Sequence, residues 1–183
     1  MAWVILSSNR KKKGRKLIHI PNPKWFKPEE FFPPEIIAIN TVSGKLKESI
    51  WRLMDWRILW TCDALRKRFG PMKINDYLWG GANQYRGFRP FKALVNKDFA
   101  KATGGRIISP KWSSFSSQHC FGRAIDANFK NYTAEEVRQS ILHDSKSTDY
   151  VFITCIENGV AWVHFDCRSW DKAKNGILVV NPS

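Results

Sequence analysis

The chain has 183 residues and a formal net charge of +14, from 30 Lys and Arg against 16 Asp and Glu. That length suits one domain with a hydrophobic core of its own, and no apolar stretch is long enough to span a bilayer. Such a basic surface favours polyanions (nucleic acid, an anionic membrane, or the anionic polymers of a bacterial envelope) without choosing among them.

Residues 1–35 read as a basic, proline-rich extension, with residues 36–183 as the single folded domain. The apolar run Ala2–Leu6 is too short for the core of a secretory signal, and a basic cluster follows it. An unexported chain is expected. Arg10 to Lys16 form a dense cationic run, and Pro21, Pro23, Pro28, Pro33 and Pro34 preclude a long helix. The arm reads either as a contact for nucleic acid or an anionic wall polymer, or simply as a solvated segment.

A long helix is expected from Gly44 to Phe69, with Ser43 as its N-cap. Its apolar stripe carries Leu46, Ile50, Leu53, Met54, Ile58, Cys62 and Leu65 at three- and four-residue steps. Trp51, Trp56 and Trp60 widen that stripe, and Gly70-Pro71 ends it. Met72 to Leu78 read as a strand, and Gln84 to Pro90 as an aromatic and cationic turn. A short helix is expected over Phe91–Ala102, and a Ser- and Trp-rich loop over Arg106–Ser117.

Ser117 to Asp126 read Ser-Gln-His-Cys-Phe-Gly-Arg-Ala-Ile-Asp. His119 and Asp126 are both of zinc-ligand type, at about 2.0–2.2 Å from an ion. A continuous helix would set them roughly 10 Å apart along its axis, so to share an ion the segment must turn back. Gly122 is the residue that allows it, and Arg123 to Ala127 then read as a strand. Thr133-Ala134-Glu135-Glu136 is a capping box opening a helix to about His143, which itself suits the negative end of that helix.

Val151–Glu157 and Val160–Asp166 flank Asn158-Gly159, a strong hairpin signal. A two-residue turn pairs Glu157 with Val160, His164 with Ile153 and Asp166 with Val151. Alternation then puts Trp162, His164 and Asp166 on one face. In that register Glu157 lies roughly 13 Å along from His164, at about 3.4 Å per residue. Only a bulge would bring it closer. The four cysteines, Cys62, Cys120, Cys155 and Cys167, form no C-x-x-C pair, which argues against a structural metal cluster. They read as reduced thiols.

The spacing Ser-x-His-x-x-Gly-x-Ala-x-Asp, met by Ser117, His119, Gly122, Ala124 and Asp126, resembles the zinc D-Ala-D-Ala carboxypeptidase and phage endolysin peptidase family. Trp162-Val163-His164-Phe165-Asp166 resembles that family's C-terminal block. Gly87-Phe88-Arg89-Pro90 is similar to the Gly-Tyr-Arg-Ser-Pro segment that precedes its first metal block. The resemblance covers about residues 70–168. It implies an α+β fold in which a small antiparallel sheet carries the zinc site against helices, as in hedgehog-like D,D-peptidases.

It also implies His119, Asp126 and His164 as ligands of Zn2+, with Arg89 and Ser117 holding substrate. Three protein ligands leave a position open for water, as in catalytic zinc sites. Some branches place a glutamate three residues before the last histidine, where this chain has Ala161. Asp166 and Glu157 are the candidates for the base. Asp166 has the favoured register, and its alternative role is to orient a ligand histidine.

The implied activity is hydrolysis of peptidoglycan stem peptides, at D-Ala-D-Ala or at L-Ala-D-Glu. The implied protein is a monomeric phage endolysin, held in the host cytoplasm until release, or a virion-associated lysin. Two other readings stand beside it: a zinc fold that only binds a partner, and a basic nucleic-acid-binding protein. No nucleic-acid motif accompanies the charge, which argues against the last.

Overall fold

The computed structural model describes residues 22–90 and 117–181. The basic run from Arg10 to Lys16, the expected helix over Phe91–Ala102 and the loop over 106–116 lie outside them. Among the described residues, no helix is long and apolar enough to cross a membrane. The architecture is α+β, with a five-stranded sheet, a separate two-stranded hairpin and short helices.

The domain core reaches further toward the N-terminus than residue 35. Phe26 is buried, and Phe31 and Phe32 are fully so. Prolines keep this segment short: a 3-10 turn, Pro28–Glu30, then helix α1, Pro34–Ile39. Phe31 and Phe32 both meet Trp51, at ring-centroid distances of 5.5 and 5.6 Å, and Phe32 also meets Phe88. Removing a buried Phe ring costs about 3–5 kcal/mol, so these aromatics are structural and the expected boundary moves.

The helix expected over Gly44–Phe69 is three elements. Strands β1 (Thr41–Val42) and β2 (Lys45–Leu46) pair across Ser43-Gly44, whose φ angles are +50° and +74°. Two successive positive φ values are the signature of a tight hairpin turn, so Ser43 turns the chain and caps nothing. A 3-10 helix, Glu48–Leu53, follows. Helix α2, Trp56–Phe69, starts only after Asp55, whose carboxylate accepts from the Arg57 backbone N–H. Apolar residues three and four apart fit a 3-10 turn as well as an α-helix, which is why one long period spans the break. Helix α2 buries Ile58, Leu59, Cys62, Leu65 and Phe69. Trp56 and Trp60 instead stand half exposed around Phe152.

The main sheet has the order β3-β4-β6-β5-β7. Its strands are β3 (Met72–Lys73), β4 (Ala124–Phe129), β5 (Cys155–Glu157), β6 (Val163–Asp166) and β7 (Leu178–Val180). The strand expected over Met72–Leu78 is thus cut to two residues, and Tyr77–Trp79 form a 3-10 turn. Pairing is antiparallel except between β5 and β7. On β4, Ile125, Ala127 and Phe129 enter the core with Val163 and Phe165 of β6. The opposite face carries Asp126 and His164, which are cross-strand partners.

Helix α3, Ala134–His143, begins with the expected capping box of Thr133 and Glu136. A short helix α4, Lys172–Asn175, precedes β7. All four cysteines are free and buried. Burial pushes each thiol up from its ordinary value, Cys155 and Cys167 to about 12.

Gly122 holds the two halves together. Its φ of +64° lies in the left-handed region, and an added Cβ would sit 2.1 Å from the Leu53 carbonyl oxygen. Its own carbonyl accepts from the Asp55 N–H at 2.9 Å, at the cap of α2. Gly122→Ala should therefore lose ~2 kcal/mol or more, combining left-handed strain with a backbone collision. A urea-unfolding midpoint equal to wild type would refute this account of the turn.

Candidate metal centre

The turn back required between His119 and Asp126 is a 3-10 turn, Gln118–Phe121, closed by Gly122 and followed at once by β4. His119 thus hangs from the turn, Asp126 from β4, and His164 from β6 directly across from Asp126. One ligand atom from each lies within 4.8 Å of the others, and all three residues are buried.

Each imidazole presents one nitrogen to the shared point and anchors the other. His119 Nδ1 lies 2.7 Å from the Gly87 carbonyl, so it donates there and leaves Nε2 with its lone pair. Nε2 is buried without a hydrogen-bond partner, its 3.3 Å approach to Asp126 Oδ1 lacking hydrogen-bond geometry. His164 Nδ1 lies 2.7 Å from the same Asp126 oxygen, and its Nε2 lies 3.4 Å from Asp166 Oδ2. The second oxygen of Asp126 accepts from Arg89 at 2.7 Å.

The charges follow this geometry. Burial opposes ionisation of Asp126, but the two imidazoles outweigh it and hold the carboxyl well below its usual range. Burial likewise pushes His119 down from its ordinary value, keeping it neutral. For His164 burial works the same way, yet Asp126 and Asp166 overcome it and raise the imidazole to about 9. An orphaned imidazole lone pair, an ionised carboxylate and a second imidazole converging inside a protein are a donor set that can hold a metal ion.

The two acids considered for the base separate clearly. Glu157 is not 13 Å away, because the β5–β6 register differs from the tight-turn expectation. Cys155 faces Asp166 and Ile156 faces Phe165, a displacement of four residues. The loop between the strands is longer because side chains satisfy its carbonyls. Buried Arg138 donates to the Val160 and Trp162 carbonyls, and Asn128 Nδ2 donates to Ala161. As a result Glu157 Oε1 comes within 4.0 Å of His164 Nδ1, on the ligand side, with a quarter of its side chain exposed.

Asp166 is fully buried behind His164, on its Nε2 side, and Arg168 donates to both of its oxygens. Although burial opposes it, these bonds with His164 and Arg168 keep Asp166 ionised. Asp166 therefore lies against the imidazole nitrogen turned away from Asp126, a position from which an acid can orient a histidine.

Arg89 lies at the site, but its guanidinium is bound to Asp126 Oδ2 and to the Tyr85 carbonyl. Ser117 stands at the N-cap of the His119 turn, and its carbonyl accepts from the Cys120 N–H. Beside Asp126 opens a cleft of about 210 Å³, walled by Gln84, Tyr85, Arg86, Arg89 and Trp162. Three contributors had no role in the sequence reading: the Gly87 carbonyl, Arg168 and Arg86. Only Arg168, two residues past Asp166, offered a sequence signal, since an Arg at that spacing on a strand end can fold back onto an acid.

No protein-family model, curated protein or solved structure matches the chain. Its chemistry is read from the residues themselves.

Two outcomes follow from the centre. Metal affinity should rise roughly tenfold per pH unit up to about 9, because an ion must displace the proton that His164 holds below that pH. Calorimetric titration in two buffers of different ionisation enthalpy checks it, and affinity independent of pH between 6 and 8 would sink it. Asp166→Asn should weaken ion binding about 10–100-fold, since it loosens the hold on His164. Competition with a chromogenic chelator measures that loss, and an unchanged affinity would remove Asp166 from the centre.

Proposed function

We propose that the chain is a zinc-dependent peptidoglycan peptidase of the phage-lysin type, with a hedgehog-like D,D-peptidase fold. The observation that carries this reading is a buried His119–Asp126–His164 donor set with the partly exposed Glu157 carboxylate 4.0 Å from His164 Nδ1 and a cleft opening beside Asp126. Three protein ligands that leave a position open for water are the arrangement of catalytic rather than structural zinc. When bound, the ion would lower the pKa of a water molecule and polarise the carbonyl to be attacked.

The residues supply the rest. Water adds to the amide carbon, the C–N bond breaks, and one proton moves from water to the departing nitrogen. Glu157 takes that proton and returns it, and the second water proton follows to the same nitrogen, leaving a carboxylate and an ammonium group as products. Its partial exposure lets it meet both water and substrate. Asp166 and the Gly87 carbonyl hold the two imidazoles in the tautomers that present Nδ1 and Nε2 inward. Arg89 fixes Asp126 through Oδ2, which leaves Oδ1 for the ion. This gives Arg89 a positioning role in addition to the substrate contact that the resemblance implies. Ser117, at the lip of the His119 turn, remains the proposed second contact to the substrate backbone.

The +14 charge suits an anionic envelope, and stem peptides cut at D-Ala-D-Ala or at L-Ala-D-Glu are the proposed substrates. Purified peptidoglycan digested with the zinc-loaded chain should yield new amine termini at one stem-peptide bond, and a chelator should abolish them. Glu157→Gln should lower turnover about 10²–10⁴-fold while zinc content stays at the wild-type level. Release of nothing from several wall chemotypes would leave a metal-binding protein without this activity. Full turnover in the glutamine variant would place the base elsewhere.

A further inference from the structure

Six described arginines are partly or fully buried: Arg57, Arg66, Arg86, Arg89, Arg138 and Arg168. Five have a carboxylate within 4 Å, namely Asp55, Glu30, Asp126, Glu135 and Asp166 respectively. Arg86 has none among the described residues. Its guanidinium donates to the neutral amide oxygen of Asn128 and lies 6.0 Å from the centroid of the Trp162 ring. A half-buried cation of this kind is stabilised chiefly by an anion, and one neutral acceptor uses only one of its five N–H donors.

Arg86 also lines the cleft beside Asp126. The Asp126 N–H donates to the Arg86 carbonyl at 2.8 Å, so its backbone is tied to the ligand strand. Asn128, which holds the guanidinium, follows Asp126 by two residues on the same face of β4, roughly 7 Å along at about 3.4 Å per residue. That span matches one peptide residue of about 3.8 Å plus a charge-assisted hydrogen bond of about 2.8 Å.

We infer that Arg86 binds the free α-carboxylate of the residue supplying the leaving amine. The inference rests on the peptidase reading and narrows its substrate class. The two candidate bonds share this feature. The D-Ala that leaves a D-Ala-D-Ala terminus carries a free carboxylate. So does a D-Glu joined onward through its side chain, after cleavage from L-Ala. One arginine therefore serves either bond, and amidation of that carboxylate blocks recognition.

Four synthetic stem pentapeptides test it, with the D-Glu α-carboxylate and the terminal carboxylate each free or amidated. Binding is measured calorimetrically to the zinc-loaded full chain carrying Glu157→Gln, and hydrolysis with wild type. Amidating the carboxylate next to the cut bond should weaken binding and raise KM on the order of 10-fold or more, and the other amidation should not. Adding Arg86→Gln should bind all four forms with the same weakened affinity, at unchanged zinc content and melting temperature. Should that variant not fold, Arg86→Lys, which keeps the charge and loses the fork, should retain only part of the discrimination.

If wild type cleaves all four forms equally, or Arg86→Gln still discriminates, the inference falls and the peptidase reading stands. If wild type cleaves none while Arg86-dependent carboxylate binding persists, the peptidase reading falls and the carboxylate site stands.

Discussion

The antiparallel register of β4 and β6 is the constraint on which the centre depends. Asp126 faces His164 and Ala124 faces Asp166, while the alternate residues Ile125, Ala127, Val163 and Phe165 are buried in the core. A slip of one residue would turn His164 into the core and bring Phe165 to the site, because side chains alternate with period two. The hydrophobic pattern of the strands therefore fixes the ligand geometry. The same packing that forms the core places two of the three candidate metal donors, Asp126 and His164, opposite one another.

Around that pair the ionised groups alternate in sign. Arg89 holds Asp126, Asp126 holds His164, His164 faces Asp166, and Arg168 binds Asp166. Each buried charge is stabilised by an opposite neighbour, whereas removing one member would strand the next. The N-terminal aromatics enter the same system from behind. Phe31 accepts from the Phe88 N–H at 2.8 Å, and an added Cβ on Gly87 would sit 2.2 Å from the Phe31 carbonyl oxygen. The carbonyl that orients His119 is thus clamped against the core.

The donor set was legible in the sequence because its pieces are local. His119, Gly122 and Asp126 share one short turn, and His164 lies on a strand whose alternation is plain. The β5–β6 register departs from the expected one because Asn158-Gly159 signals a tight turn, whereas distant Arg138 and Asn128 satisfy the carbonyls of a longer loop. No local pattern encodes that choice. The break before α2 was hidden for another reason: apolar spacing continues across Asp55, while Ser43-Gly44 carried an unused turn signal. The prolines before residue 35 suggested an arm, yet Phe31 and Phe32 between them are core residues. Proline limits helix length and leaves burial open.

The four buried thiols have a consequence for the chain's surroundings. The thiolate is the form that oxidises, alkylates or takes up metal, and burial disfavours it at every cysteine here. Each sulfur fills core volume as a small apolar group. The folded chain therefore holds no disulfide for a reductant to break and exposes no thiol to be damaged. Once folded, the chain presents the same thiol-free surface to a reducing compartment and to an oxidising one.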